Sequence, residues 1–340
     1  MDDFPSESYR DRLAQDDSPY HPGEQAAQTR AGVRERAERA GRRMIRDFMP
    51  DEHRELFDKL PFLVVGSVDA EGWPWASLLA GPPGFVSSPH PRRLQVAAQP
   101  PPGDPLRANF VEGAAVGLLG IELATRRRNR MNGWLRDLRP GGFAVDVAQS
   151  FGNCPQYIQR RLPMRAADRD APRAVRGPDE PSALSARARA LIAAADTFFI
   201  ATASARAGSA AATEGADVSH RGGRPGFVRV GSRAGAAVLA VPDFRGNAAF
   251  NTIGNLMVNP KAGLTFVDFT TGDVLLLTGT AEVIWDGPEV AAFAGAERLL
   301  RFTVARGLWI ARALPARWSP PEFARQLDAT GTWAPDGISA

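Results

Sequence analysis

Hydrophobic positions near the start of the chain recur at the spacing of a helix. Residues 24–48 carry apolar side chains three or four positions apart, and Pro50 ends this predicted helix. A shorter helix is predicted over 52–60, with the Asp51 carboxylate placed to accept hydrogen bonds from its first amide groups. The apolar face of the long helix consists of Val33, Ala37, Ala40, Met44 and Phe48.

From Phe62 onward the pattern changes to short runs of Val, Leu, Phe and Ile that alternate with Gly, Pro and Asp turns. This rhythm is typical of antiparallel strands in a barrel or a sandwich. In the second half, Ser182 is placed to cap a helix that ends at Ala195, and a last helix is predicted over 289–314. The other predicted elements are strands at 62–68, 76–79, 94–98, 115–123, 142–147 and 197–201, and a helix at 247–258.

Four segments of the first half recur in the second half in the same order. We interpret the chain as two copies of one β-rich domain, which would form an internal pseudo-dimer with a seam suited to a ligand. The matching pairs are Glu71-Gly72 with Glu214-Gly215, 81–86 with 222–228, 115–122 with 261–268, and Asn132-Gly133 with Thr278-Gly279.

The composition favours a cytoplasmic protein with two domains. The chain has 340 residues, 44% of them hydrophobic, which is enough for two cores of ordinary size. Cys154 is the single cysteine, so no intrachain disulfide can form. A signal-peptide core and any run of about 18 apolar residues are missing, so neither secretion nor a membrane span is expected. We expect a disordered N-terminus at 1–22, a linker at 161–181 and a tail at 319–340.

The charge pattern and the motifs argue against several function classes. The formal net charge is only +3, and the basic clusters lack interleaved aromatic residues, so no nucleic-acid partner is expected. The four histidines lie far apart in sequence, which gives no metal-ligand spacing. No glycine-rich dinucleotide fingerprint and no Walker loop occur.

A polar, glycine-rich stretch of the second half carries the candidate chemistry. Strand alternation places Ser219 and Arg221 on one face, and Gly222-Gly223 lets the backbone approach a ligand closely. The run 241–247 then enters the predicted helix at Asn247, where free amide groups suit a phosphate. Ordinary structural roles are the alternative, with Arg221 as an exposed turn residue and Asn247 as a simple N-cap.

Motifs in both halves match one known family. They are Gly226-Phe227-Val228, 242–247, Asn259-Pro260 and 262–266 in the second half, and Trp75-Ala76-Ser77, 81–85, 126–133 and 149–157 in the first. These motifs resemble the pyridoxamine 5′-phosphate oxidase-like FMN-binding split barrels, including long uncharacterised members, over about residues 21–315. The resemblance implies a mainly β, α+β fold of two tandem antiparallel six-stranded split β-barrels, 23–160 and 182–318, arranged as an internal pseudo-dimer. The second barrel would carry the FMN-type motifs and the C-terminal helix.

The resemblance further implies that FMN, or else FAD or a deazaflavin, lies in the cleft between the barrels. Family members carry a basic residue where this chain has Asn247, and Arg128, which alternates with Arg126 and Arg130, is the candidate replacement. A solvated strand face is the other explanation for these arginines. The implied cofactor-binding residues are Ser219, His220, Arg221, Gly223, Val241, Pro242, Phe244, Gly246, Asn247, Asn251 and Arg128.

The resemblance therefore predicts an FMN-dependent oxidoreductase that acts on a small-molecule substrate or a redox partner. It does not predict a true pyridoxamine phosphate oxidase, because no counterpart of the family's Tyr-x-x-x-Arg-x-x-x-Ser run is present. Trp75 and Tyr157 are substrate-side candidates, and simple packing is their alternative role. A non-catalytic carrier of flavin or haem, with His220 as axial ligand, and a module that binds no cofactor are the competing hypotheses. The apolar residues of the predicted C-terminal helix favour a homodimer.

Overall fold

Antiparallel β-strands with a few helices make up most of the chain in this computed structural model. The structure describes residues 18–164, 175–209, 211–315 and 317–333. The first half contains α1 (Pro22–Arg30), α2 (Arg34–Met44), α3 (Asp51–Lys59), β1 (Phe62–Val68), β2 (Pro74–Ala80), β3 (Val86–His90), β4 (Arg93–Val96), α4 (Leu106–Asn109), β5 (Ala115–Glu122), β6 (Arg127–Arg139) and β7 (Gly142–Gly152).

The elements that follow lead into and build the second half. They are β8 (Pro163–Met164), β9 (Val175–Glu180), α5 (Ala186–Ala194), β10 (Thr197–Ala203), β11 (Ala216–Gly222), β12 (Arg229–Arg233), β13 (Ala236–Phe244), α6 (Asn251–Val258), β14 (Lys261–Val267), β15 (Val274–Ile284), α7 (Pro288–Ala291), β16 (Ala296–Ala311), β17 (Arg317–Trp318) and a 3₁₀ helix (Arg325–Ala329).

The two halves form sheets with the same strand order. The first sheet runs β2-β1-β5-β6-β7-β4-β3, and the second runs β11-β10-β14-β15-β16-β13-β12, with β9 added beside β16. Each strand of the first sheet therefore has a counterpart at the same place in the second, so that β5 corresponds to β14 and β2 to β11. Each path has seven strands, one more than the resemblance implies, and neither path closes on itself within the described residues.

Three hydrophobic cores, the largest of the four apolar clusters among the described residues, hold the sheets together. One core lies in each half, around Phe143 in the first and Phe198 in the second. The third core joins the halves, where the rings of Phe62 in β1 and Phe199 in β10 meet edge to face with centroids 6.5 Å apart. Both strands are buried along almost their whole length, as expected of strands covered on both faces. The seam between the halves is therefore part of the hydrophobic core.

The halves approach each other closely at two glycines on equivalent strands. A Cβ atom on Gly117 of β5 would lie 2.6 Å from the carbonyl oxygen of Ala216 in β11. A Cβ atom on Gly263 of β14 would lie 2.3 Å from the carbonyl oxygen of Pro74 in β2. Glycine at both positions allows the backbones to come together, and the same contact is made twice with the roles of the halves exchanged, as at a two-fold interface.

The predicted C-terminal helix over 289–314 is wrong. Ala296–Ala311 is the strand β16, and only Pro288–Ala291 is helical. Leu300 and Phe302 are buried, whereas the residue between them is less buried, and this period of two is that of a strand. The apolar residues that favoured a homodimer are buried within the chain, so that basis for a dimer is removed. They are Phe302, Leu308, Trp309 and Ile310.

Three other helix boundaries also differ from the predictions. The single helix predicted over 24–48 is two helices, α1 and α2, because the chain turns at Gly32, whose φ of 68° favours glycine. Asp51 is the first residue of α3 and makes no capping hydrogen bond. Ser185, rather than Ser182, caps α5 by accepting an amide hydrogen bond.

The predicted disordered N-terminus, linker and tail fall partly on 1–17, 165–174 and 334–340, which lie outside the described ranges. Where these segments are described, Tyr20 and Leu327 are buried, and β9 pairs with β16. Of the helices within the described ranges, none is both long and apolar enough to span a membrane.

Candidate functional site

A cavity of about 350 Å³ opens at the seam between the two halves. Its walls come from the α1–α2 turn and the start of α2, from β5 and β6 of the first half, and from β11 and the β13–α6 connection of the second half. Both sheets and the lead-in helices are therefore needed to form it. The charged residues that line it are Arg36, Arg128, Arg130, Arg221, Asp243, Arg245, Glu297 and Arg298.

The lining carries more positive than negative charge. Its charged residues are six arginines and two acids, Asp243 and Glu297. Arg221 Nη2 lies 3.3 Å from one Asp243 oxygen, and Arg298 Nη1 lies 3.4 Å from the other, so one carboxylate serves two guanidinium groups. Glu297 pairs with Arg298 as well. This excess of positive charge favours an anionic ligand.

Strand β6 brings two arginines of the first half to the cavity. Arg130 is buried and donates to Asp217 Oδ1 at 3.2 Å and to Ser219 Oγ, so a carboxylate balances its charge. Arg128 lies two residues earlier on the same face and has no carboxylate partner among the described residues, and its Nε is buried without a hydrogen bond. A guanidinium group that has no carboxylate partner and a buried, unbonded Nε is stabilised when an anion binds to it.

Among the described residues, the guanidinium group of Arg128 has one hydrogen-bond partner, a histidine of the second half. Arg128 Nη1 donates to His220 Nδ1 at 2.9 Å. Burial, and then the charge of Arg221, lower the pKa of Arg128 to about 9. Burial, and then the charges of Arg128 and Arg221, hold the pKa of His220 well below its usual range. The imidazole is therefore neutral when the site is folded.

The Arg128 hydrogen bond also sets the tautomer of His220. Because a guanidinium group only donates, Nδ1 must accept and the proton lies on Nε2. Nε2 is buried and has no hydrogen-bond partner among the described residues. Haem ligation through Nε2 would require the other tautomer, in which the hydrogen bond from Arg128 is lost.

Helix α6 begins at the cavity without a side-chain cap. Phe250 occupies the N-cap position with a left-handed backbone, and residues 251–253 of the first turn line the cavity. The first amide groups of a helix lack intrahelical partners and attract anions. The predicted helix start at Asn247 is wrong by four residues, because Ala248 and Phe250 both have positive φ and interrupt the helix. Asn247 lies in the loop and accepts an amide hydrogen bond there.

A buried glutamate of α1 reaches the first turn of α6. Asn251 Nδ2 donates to Glu24 Oε1, and Glu24 Oε2 accepts a hydrogen bond from the His21 amide at 2.9 Å, which completes a capping box on α1. Burial, and then the nearby Asp217, raise the pKa of Glu24 well above its usual range. A helix that precedes the first sheet thus positions a cavity residue of the second half.

The cavity brings together most of the cofactor-binding residues predicted from the sequence. Gly223, Val241 and Pro242 lie outside its lining; Val241 belongs to the core of the second half, and Gly223 packs tightly against Phe227. The predicted residues that do line it are Arg128, Ser219, His220, Arg221, Phe244, Gly246, Asn247 and Asn251.

The two substrate-side candidates are not in the lining. Trp75 is buried in the core between the halves, where its Nε1 donates to Asp69 Oδ2 at 2.9 Å. Tyr157 is half-buried, and its ring lies 5.1 Å from that of Phe244. Tyr157 therefore borders the cavity through Phe244, whereas Trp75 does not.

Several lining residues were missed by sequence reasoning. Arg298 lies in a segment that was assigned to a helix, and Trp285 and Arg36 carry no motif that marks them. The alternation of arginines correctly puts Arg130 beside Arg128. Arg126 does not share that face, because its φ of 58° places it in the turn before β6. Glu24 was also missed, because the N-cap of α1 is His21, which the usual capping-box pattern does not include. Within the described ranges, no group of three or more His, Cys, Asp or Glu side chains is arranged to hold a metal ion.

Comparison with known proteins gives little further information. No protein-family model and no curated protein matches the sequence. Two crystal structures of HupZ from group A Streptococcus, one of them a single-residue variant, are similar to part of the chain. The first is 16% identical with a TM-score of 0.29 and covers 36% of this chain and 91% of that chain. The variant is 14% identical with a TM-score of 0.27 and covers 37% and 98%.

Proposed function

We propose that this chain is an FMN-dependent oxidoreductase of the split-barrel class, built from two tandem copies of one domain with the flavin bound at their seam. The common strand order of the two sheets supports the duplication, as do the paired contacts at Gly117 and Gly263. The first half would take the place that a second subunit has in a dimeric split barrel, because it completes a cavity formed mainly by the second half.

Arg128 is the observation that carries this proposal. It belongs to the first half, lines the cavity of the second half and lacks a carboxylate partner among the described residues. The uncapped start of α6 lines the same cavity, as does Ser219, whose hydroxyl oxygen accepts a hydrogen bond from Thr252 Oγ1 at 3.0 Å and which keeps its own proton to donate. A phosphate monoester is an anion with several hydrogen-bond acceptors, which matches these donors. The residues present therefore fit the phosphate end of FMN.

The remaining lining fits a flat ring system. Phe244 and Trp285 are half-buried and contribute aromatic surface to the cavity, and the neutral His220 contributes a polar group. When bound, FMN would supply hydride or electron transfer. Arg221, held by Asp243, would stabilise negative charge that develops on the reduced flavin, and the core between the halves would keep water from the buried side.

The first test is the absorption spectrum of the purified protein, followed by denaturation and mass analysis of what is released. We expect flavin bands and FMN in the supernatant. A colourless protein that gains no thermal stability from added FMN would contradict the proposal, because a ligand that binds only the folded state must stabilise it. Oxidation of NADH or NADPH faster than with free FMN would establish turnover. Flavin binding without turnover would instead favour a carrier.

A further inference from the structure

The mouth of the cavity carries two arginines that the FMN phosphate does not explain. Arg36 of α2 and Arg245 of the β13–α6 connection both line the cavity, and both are exposed. The structure gives neither guanidinium group an ion pair or a hydrogen bond with any described residue, whereas that of a neighbour on α2, Arg34, pairs with Glu38 at 2.7 Å. The positive charge of these two arginines is therefore available to bind a second anion.

The same cavity also has an aromatic surface. Trp285 stacks on Phe250 with ring centroids 6.4 Å apart and an interplanar angle of 16°, and both residues line the cavity. The guanidinium carbon of Arg30 lies 4.6 Å from the Trp285 ring centroid, and that of Arg298 lies 5.3 Å away. These contacts fix the plane of a half-buried indole, and such a surface stacks well on a nucleobase.

We propose that the mouth binds an adenylate, that is, a phosphate joined through a sugar to a purine base. This inference rests on the proposed function, in which Arg128 and the start of α6 hold the phosphate of FMN. Arg36 and Arg245 then remain for a second phosphate, whose oxygens match guanidinium geometry, and Trp285 supplies a stacking surface for the base. The adenylate is either part of the cofactor itself, as in FAD, or part of a dinucleotide that delivers reducing equivalents. Both sources present the same chemistry to the mouth.

The test uses the full-length protein freed of flavin and the variants Arg36→Gln and Arg245→Gln. Arg43→Gln is the matched control, because Arg43 is exposed on the same helix as Arg36 but lies outside the cavity lining. Fluorescence titration gives the Kd of FMN and of FAD for each protein. Calorimetry then gives the Kd of 5′-AMP for the FMN-loaded protein.

The two sources of the adenylate predict different results. If it belongs to the cofactor, FAD binds at least about tenfold more tightly than FMN, and each variant removes most of this preference without changing the FMN affinity. If it belongs to a separate dinucleotide, FAD has no advantage, yet 5′-AMP binds the FMN-loaded protein and each variant weakens it about fivefold or more. The control variant changes neither result.

Three outcomes would overturn the inference. Equal affinities for FMN and FAD, together with no binding of 5′-AMP, would show that the mouth does not bind an adenylate. Variants that weaken FMN as much as FAD would assign Arg36 and Arg245 to the phosphate of FMN itself. A protein that binds neither flavin would refute the proposed function and this inference together, and it is distinguished from the other two outcomes by the FMN titration alone.

Discussion

Arg128 and His220 are joined by a hydrogen bond of 2.9 Å that crosses from one half of the protein to the other. The bond links β6 of the first sheet to β11 of the second and orients both side chains at the cavity. The two residues therefore have different roles at the cavity. The arginine supplies positive charge, and the histidine stays neutral and presents a fixed tautomer.

Replacing Arg128 is expected to weaken FMN binding without unfolding the protein. Arg128→Gln should raise the Kd of FMN about 10- to 100-fold, because a charge-assisted contact to phosphate is lost. No buried carboxylate is left unpaired, so thermal unfolding should change little. Arg127→Gln is the control, since Arg127 is the exposed neighbour on the same strand. An unchanged Kd in Arg128→Gln would remove this residue from the phosphate site.

His220 is expected to remain neutral in the folded protein at pH values where a free histidine is half protonated, about 6.5. Because its pKa is lowered on folding, its contribution to stability is present above that pH and is lost as the pH falls below it. In Arg128→Gln the pKa should rise, because one of the charges that lowers it is removed. Long-range ¹⁵N–¹H NMR spectra report both the pKa and the tautomer. A proton on Nδ1 would disprove the hydrogen bond from Arg128.

Asp104 should make the stability of the first half depend on pH. Its Oδ1 accepts hydrogen bonds from Ser77 Oγ at 2.5 Å and from the Leu106 amide at 2.9 Å, and burial raises its pKa from 3.8 to about 6. The folded state thus favours the neutral acid, so ionisation destabilises it. The free energy of unfolding is expected to fall by about 2 kcal/mol as the pH rises from about 4 to about 7.

The variant Asp104→Asn isolates this effect, because its carbonyl oxygen can accept the same two hydrogen bonds and carries no charge. Urea unfolding at several pH values should show a flatter profile for Asp104→Asn and a higher stability than the wild type above about pH 6. Equal slopes for the two proteins between about pH 4 and 7 would contradict this assignment.

Side chains at the paired glycines of the seam are expected to be strongly destabilising. Gly117→Ala and Gly263→Ala each place a Cβ atom within 2.6 Å of a carbonyl oxygen on the other sheet, so the sheets must move apart. We expect a loss of about 2–4 kcal/mol for each, measured by chemical unfolding. Gly208→Ala is the control, because a Cβ atom there meets nothing within 4 Å. Similar losses at all three positions would argue against close approach at the seam.

Much of the β-structure is readable from the sequence because strand patterns are local. The strand over 62–68 begins and ends where predicted, and β5 differs from 115–123 by one residue. β16 was missed because its apolar residues also fit a helical spacing, and only the neighbouring strands β13 and β15 decide between the two periods. Pairing partners of this kind are distant in sequence and leave no local signal.

The candidate site was predictable in part for the same reason. Ser219 and Arg221 follow from alternation along one strand, whereas Arg128 was named through the family resemblance and the match between the two halves. The role of Glu24 depends on α1 packing against α6, which no local pattern encodes. The uncapped start of α6 was misplaced at Asn247, since two residues with positive φ, Ala248 and Phe250, shorten the helix. Positive φ at residues other than glycine is uncommon and is set by tertiary contacts.

The packing of α1 on α6 has a consequence for how the chain can be divided. A Cβ atom on Gly254 of α6 would lie 2.5 Å from the Glu24 Cα atom, and Gln28 Nε2 donates to the Ala249 carbonyl oxygen at 3.0 Å. The first described helix, α1, thus packs on the second half, which is the later of the two in the chain. A chain divided between the two sheets would give fragments that each lose the packing of α1 on α6, so neither half would keep its full set of contacts when separated from the other.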